Sequence, residues 1–424
     1  MFDAMDPTVR EEVAVIAATP NRDLDLLFVI DDSPTMLDKQ ESVKAAFPSF
    51  VSALQTNQGG LPNLHIGVVT TDLGTRATDG TTGPQIGSGP GACVNTGKGG
   101  NLIMNAAFTG TFIIDVDSGA GTRMTNYTGS LADAFSAVAS VGAAGCGFEQ
   151  PLEAAKVALD ANPTNVGFLR ETANLGVIFV TDEDDCSIGS TALMSSDTAT
   201  LGPLQSFRCT RFGVTCDVGG TTPDDMNTVG DKSSCHSNEG SPYVAPVEPY
   251  APWFKGLKAR PEMVMFAALA GPTMPFKVEL RAPSGGGTAI PTLVESCTYT
   301  TSLGMAYAYP PVRLAQTVSH FGRNAFETVC NNDVTMQMDN IASHVKGLIG
   351  DTCLTRVIAM PPNCTVTDTN STGTKSLPMC GSGDCWTLVS DPAACVSFDH
   401  LYVDIKRSAA PPPDTVTTVR CVVP

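Results

Sequence analysis

Asp31, Ser33 and Thr35 set one carboxylate and two hydroxyls at alternate positions directly after the apolar run Leu26-Leu27-Phe28-Val29-Ile30. In an extended or tightly looped backbone, side chains two apart turn to the same side, so these three oxygens can converge on one point. Hard oxygen donors of this kind suit a divalent cation: Mg²⁺, Mn²⁺ or Ca²⁺. A second apolar run, Leu175-Gly176-Val177-Ile178-Phe179-Val180-Thr181, leads into the acids Asp182, Glu183, Asp184 and Asp185. Glu183, Asp184 and Asp185 have the chemistry for a second cation, calcium first, or equally for a solvated acidic loop. Thr70, Thr71 and Asp72 end a third apolar run, Leu64–Val69. Thr71 or Asp72 is thereby a candidate donor just outside the ion's own ligands. Ser, Thr and Asp are also ordinary capping and turn residues. The ligating reading therefore rests on several strand ends meeting, not on any one side chain. Asp32 is expected to point to solvent.

Unbroken apolar runs bounded by charge read as parallel strands buried on both faces. An open α/β sheet binds ligands at the carboxyl ends of such strands. The intervening segments have the helical period. Met36–Leu54 carries Val43, Phe47, Phe50, Val51 and Leu54 on one face, with Pro48 inside it. Ser130 and Asp133 form a capping pair ahead of Leu131, Ala134, Phe135 and Val138. Pro151 opens a further helix at its favoured first position. Glu262–Ala270 is expected to be another strand, with helices near Val312–Phe321 and Met336–Ile349. Residues 187–250 break this alternation with Gly, Ser, Thr, Asp and Pro, and read as an insertion on the same face as the acids. The expected fold is α/β, a doubly wound, mostly parallel sheet of the Rossmann type over residues 25–352. Residues 353–424 hold Cys353, Cys364, Cys380, Cys385, Cys395 and Cys421 and read as a small disulfide-rich β module. Residues 1–24 read as an acidic lead-in or linker.

The pattern Asp31-x-Ser33-x-Thr35 after an apolar strand resembles the metal-ion-dependent adhesion site of von Willebrand factor A domains, over about Asp25 to Ile349. The strand end Val180–Cys186 and the loop Gly145–Ala154, reading G-C-G-F-E-Q-P-L-E-A, are similar to those of secreted or surface A-domain proteins of bacteria. The resemblance implies that Asp31, Ser33 and Thr35 hold the metal and that Asp182 joins them directly or through water. It implies a partner, a protein or extracellular-matrix ligand, that reaches the ion through an acidic side chain. One ligand of the family is missing. Its loop threonine has no counterpart in Gly142–Glu149, so either Glu149 supplies the oxygen or water does. Cys93 and Cys146 both fall in loops at that rim and are the expected disulfide there.

Composition narrows the rest. With 25 Lys and Arg against 43 Asp and Glu the net charge is −18, which argues against nucleic-acid and anionic-membrane partners. The 42% hydrophobic content supports a sizeable core, and no apolar run is long enough to cross a bilayer. The other six cysteines are Cys186, Cys209, Cys216, Cys235, Cys297 and Cys330, and the fourteen together show no zinc spacing. Paired cysteines imply an oxidising compartment, hence a secreted or outer-surface protein. Met1–Arg10 is too short and acidic for a signal peptide. The expectation is a removed leader, with a lipid anchor upstream as one tether, as in an outer-membrane lipoprotein. No histidine is placed at the acid rim and no Gly-x-Ser-x-Gly turn occurs, so the chain is read as a binding protein and not an enzyme. The alternatives are a structural subunit of an extracellular assembly and, behind it, a metal-activated hydrolase. Titration of the denatured, unreduced protein should find at most about two free thiols; ten or more would remove the case for an oxidising compartment.

Overall fold

The computed structural model describes residues 11–17, 21–56, 60–119, 121–283, 286–350, 353–354, 356–381, 383–390, 395, 399–409, 411–412 and 414–424. Strand β1 is Glu11–Ala17 and β2 is Asp23–Ile30, followed by helix α1, Leu37–Gln55. Strand β3 is Asn63–Thr70, β4 Ile113–Asp117 and β5 Arg123–Thr125. Helices α2, Leu131–Ala139, and α3, Pro151–Leu159, precede β6, Asn174–Val180. The central sheet has seven strands, in the order Asn324–Thr328, Val264–Ala270, β6, β2, β3, β4, β5. The first five run parallel, and β4 and β5 finish the sheet antiparallel.

The strongly apolar runs became the central strands because helices cover both faces of them. Leu24, Leu26, Phe28 and Ile30 face α1, α2 and the helix Thr335–Leu348. Leu27 and Val29 face α3 and the helices Tyr250–Lys255 and Val312–Ser319. Phe28 packs edge-on to Phe47 and Phe135, with ring centroids 6.1 and 4.7 Å away. On the other face Phe266 stacks on Phe321 at 3.9 Å. Burying one such aromatic side chain stabilises by roughly 1.5–3 kcal/mol, and the parallel ladder sets β2 in register with β3 and β6. That register brings Ile30 level with both Thr70 and Val180. The three candidate strand ends therefore finish on one edge.

Two sequence boundaries shift. The lead-in over residues 1–24 is not all linker. Glu11–Ala17 pairs antiparallel with Val416–Val422, and burial alternates over Glu11–Ala14, with Glu12 and Ala14 inward. It is thus an edge strand of the C-terminal module; residues 1–10 and 18–20 lie outside the described ones. The insertion does not stand apart either. Val214–Val218 and Gly230–Ser237 join Phe276–Arg281 and Ile290–Leu293 in a second four-stranded sheet. Polar surface composition hid these short strands, and the pairing of Gly230–Ser237 with Phe276–Arg281 joins two hairpins about forty residues apart.

All fourteen cysteines are paired: 93–146, 186–209, 216–235, 297–330, 353–395, 364–421 and 380–385. Four of the seven lie outside the C-terminal module and staple loops around the sheet's carboxyl edge and the second sheet.

Arg313 ties the insertion to that edge. It is fully buried and its guanidinium lies 3.0 Å from Asp185. It also donates to the Asp185 carbonyl, the Ser237 hydroxyl and the Ala245 carbonyl. Removing one partner of a buried, hydrogen-bonded ion pair costs about 3–5 kcal/mol, because the other charge stays buried. Urea unfolding of Arg313→Met should show a loss in that range; a loss below about 1 kcal/mol would mean the guanidinium is not what holds the insertion.

Candidate functional site

Asp31 leaves β2 still hydrogen-bonded to the sheet, its N–H donating to the Val180 carbonyl at 2.9 Å. The turn that follows aims its carboxylate inward. Asp31 Oδ1 accepts from the Ser33 N–H at 2.7 Å, and Oδ2 accepts from the Thr181 hydroxyl at 2.7 Å. The Ser33 and Thr35 hydroxyls lie 3.4 Å apart. Asp182, directly after β6, completes a cluster of two carboxylates and two hydroxyls. Both Asp182 carboxylate oxygens are buried without a hydrogen bond of good geometry. Lys39 Nζ nevertheless lies 3.0 Å from Oδ2, an ion pair rather than an aligned hydrogen bond.

Acids crowd this edge. Glu149 is buried beside Glu183, the two carboxyls sharing a hydrogen bond, and Glu149 Oε1 has no other partner. Loss of hydration pushes the Asp31 carboxyl up to about 7, with the Asp182 charge adding to it. Glu183 is pushed up to about 8 by the same desolvation and then by Asp182. Burial raises Glu149 well above the usual range, and the neighbouring Glu183 adds to it. Asp182 is also raised by burial, with Lys39 and the Thr35 hydroxyl acting against the shift. Four carboxyl groups meeting with one ammonium among them is a site short of positive charge.

The rest of the acid run has other employment. Asp184 accepts from the backbone N–H groups of Arg313 and Leu314, at the start of the helix Val312–Ser319. Asp185 accepts from the Leu152 N–H and the Ser187 hydroxyl and pairs with Arg313. Their oxygens are taken up by the fold, so of the proposed second cation trio only Glu183 remains, and its carboxyl shares a hydrogen bond with Glu149. It lines a cavity of about 100 Å³ together with Glu149, Phe207 and Tyr309.

The loop without a threonine runs under Asp32, which is buried and not at the surface as expected. Asp32 pairs with Lys98 at 2.5 Å, and its backbone carbonyl accepts from the Gly145 N–H at 2.7 Å. A Cβ on Gly145 would collide with the Asp32 carboxylate, so close approach excludes any side chain there. Disulfide 93–146 fixes the same loop. Thr71 is buried with its hydroxyl unpartnered, whereas Asp72 is engaged by the Gly74 N–H at 2.8 Å. His65 stands near the opposite end of β3, where its Nδ1 meets the Phe168 carbonyl.

Sequence reasoning missed Lys39, Lys98, Thr181 and Gln40. Gln40 clamps the loop by donating to the Asp31 and Gly142 carbonyls. Lys39 had a readable signal: it stands in the apolar stripe of α1, one turn before Val43 and two before Phe47. Among the described residues, no group of three or more His, Cys, Asp or Glu side chains is set to hold a metal ion. Half of the donors at Asp31, Ser33, Thr35 and Asp182 are hydroxyls, and the orphaned oxygens of Asp182 are the feature that fits a hard cation.

No protein-family model matches the chain, and no curated protein does. Solved structures similar to it include the conserved hypothetical protein BatB from Bacteroides thetaiotaomicron, 10% identical, with a TM-score of 0.30 over 77% of this chain and 98% of that one. The pilus adhesin SpaC from Lactobacillus rhamnosus GG is 10% identical with a TM-score of 0.31, over 99% of this chain and 42% of that one. The pilus adhesin RrgA from Streptococcus pneumoniae is 10% identical with a TM-score of 0.26, over all of this chain and 60% of that one. Likeness at this level assigns this chain neither a family nor an activity. No described helix is long and apolar enough to cross a membrane.

The raised carboxyls give the metal-free protein a pH dependence. Asp31 moves from 3.8 to about 7 and Glu183 from 4.5 to about 8 on folding. Between those values the folded chain holds more protons than the unfolded one, so stability falls as pH rises. In chelator, the melting temperature should drop from about pH 4.5 to about pH 8. A flat or rising profile across that window would contradict the raised Asp31 and Glu183 carboxyls.

Proposed function

We propose that the chain is a non-catalytic binding protein of the cell surface or its surroundings, built on a von Willebrand factor A-like domain. Asp31, Ser33 and Thr35 hold one divalent cation at the carboxyl edge of the sheet, with Asp182 ligating directly or through water. The observation that carries this reading is the buried carboxylate of Asp182 beside two hydroxyls and Asp31, with Lys39 against it but neither oxygen in a hydrogen bond of good geometry. An ion there would offer an open position to a carboxylate of a protein or matrix partner. Seven disulfides support an oxidising, extracellular setting.

Calorimetry on chelator-treated protein should show about one equivalent of Mg²⁺, Mn²⁺ or Ca²⁺ bound, and Asp31→Ala should abolish it. Equal binding by the variant would sink the assignment.

A second reading has its own observation. Glu149 is buried next to the cluster, and as a ligand it would nearly neutralise the ion and leave it purely structural, as in a subunit of an extracellular assembly. Its hydrogen bond to Glu183 favours water as the remaining ligand instead. Glu149→Gln should therefore leave metal affinity within about threefold. A tenfold fall, about 1.4 kcal/mol, would move the conclusion to the structural ion.

A further inference from the structure

We propose that Lys39 is the resident cation of this site, and that a divalent ion enters by exchange with its ammonium. The inference rests on the reading of Asp31, Ser33, Thr35 and Asp182 as a cation site and names what sets its affinity.

The Lys39 side chain is 1% exposed. Its ammonium lies 3.0 Å from Asp182 Oδ2, donates to the Thr35 backbone carbonyl at 2.9 Å and is 3.3 Å from Asp38 Oδ1. It thus sits on two of the four proposed ligand residues. A lysine that merely packed against the core would bury its stem and carry its ammonium to water. Here the charged end is the part held inside, against an acid whose other neighbouring donor is the Thr35 hydroxyl.

A divalent ion on Asp182 would stand within a few ångströms of that ammonium. Repulsion between such charges is strong where water is excluded, since it scales inversely with both distance and effective dielectric. Either the ion binds weakly or the ammonium moves. Room to move is present. A groove of about 210 Å³ opens beside the site, lined by Pro34, Thr35, Asp38, Lys39 and Tyr307 among others. The Tyr307 ring centroid is 5.6 Å from the ammonium, within reach of a cation–π contact. Asp38 stands at the groove with 11% of its side chain exposed. An ammonium released from Asp182 therefore keeps a carboxylate and an aromatic face without crossing the core.

The test is calorimetry of MgCl₂ and MnCl₂ against chelator-treated full-length chain. Lys39→Met should bind at least about tenfold more tightly than wild type, while Lys39→Arg, which keeps the charge, should stay near wild type. Lysine-selective ¹⁵N NMR on the unaltered protein adds a measurement independent of any variant's folding: the protected ammonium signal should shift or lose protection as Mg²⁺ saturates. Equal affinity of wild type and Lys39→Met would overturn the exchange and leave the cation site standing. No binding by either, with both folded by circular dichroism, would overturn the cation site and the exchange together. If Lys39→Met does not fold, an ammonium signal unchanged at saturating Mg²⁺ overturns the exchange.

Discussion

The structure depends on how carboxylates are kept out of water at the carboxyl edge of a parallel sheet. Asp31, Asp182, Glu149 and Glu183 converge there with Lys39 as the ammonium among them. Burying a charge without a partner is among the costliest things a fold can do. The rest of the architecture is arranged to make the position unavoidable. Apolar layers cover both faces of β2 and β6, and their parallel register puts the strand ends carrying Asp31 and Asp182 side by side. The site cannot relax by drawing its acids apart without breaking the core beneath it.

The loops around the edge are restrained by means that do not consume the acids' charge. Disulfide 93–146 and the Gln40 clamp hold the loop before α3. Disulfide 186–209 and the Arg313 network hold the insertion. Staples of this kind act mainly on the unfolded chain, so they fix geometry while leaving Asp31 and Asp182 electrostatically unmatched. A fold that needed only stability at this edge would be served as well by apolar residues of similar volume.

Much of this was legible in the sequence. The apolar runs at Leu26–Ile30 and Leu175–Thr181 gave the buried parallel strands, because only strands covered on both faces read that way. Their ends gave the meeting of Asp31 and Asp182. What escaped was long-range. Glu11–Ala17 pairs with Val416–Val422 across nearly the whole chain, and nothing local in a seven-residue strand declares such a partner. Asp32 was expected at the surface because its neighbours alternate inward. Lys98, from the Gly-rich loop, is what allows it to be buried. Asp184 and Asp185 looked like their neighbours in sequence. Their distinction comes from Arg313, more than a hundred residues later.

That last contrast separates structure from function within one acid run. Asp185 is buried like Asp182 and Asp184 partly so, yet each has its oxygens met: by a guanidinium and a hydroxyl, or by two backbone N–H groups at a helix start. Asp182 has no such closure: an ammonium stands at the side of one oxygen and the Thr35 hydroxyl is near, with neither oxygen in a hydrogen bond of good geometry. Helix starts and arginines are available to any fold as permanent partners for a carboxylate. Leaving Asp182 without one, three residues from an acid that has two, keeps a buried negative charge open on the one edge where an α/β sheet receives ligands. Burial alone would not mark the site; all four acids of the run lie at this edge. The missing partner does, and it is why the proposed cation site is centred on Asp182 and Asp31 and not on the richer-looking cluster beside them.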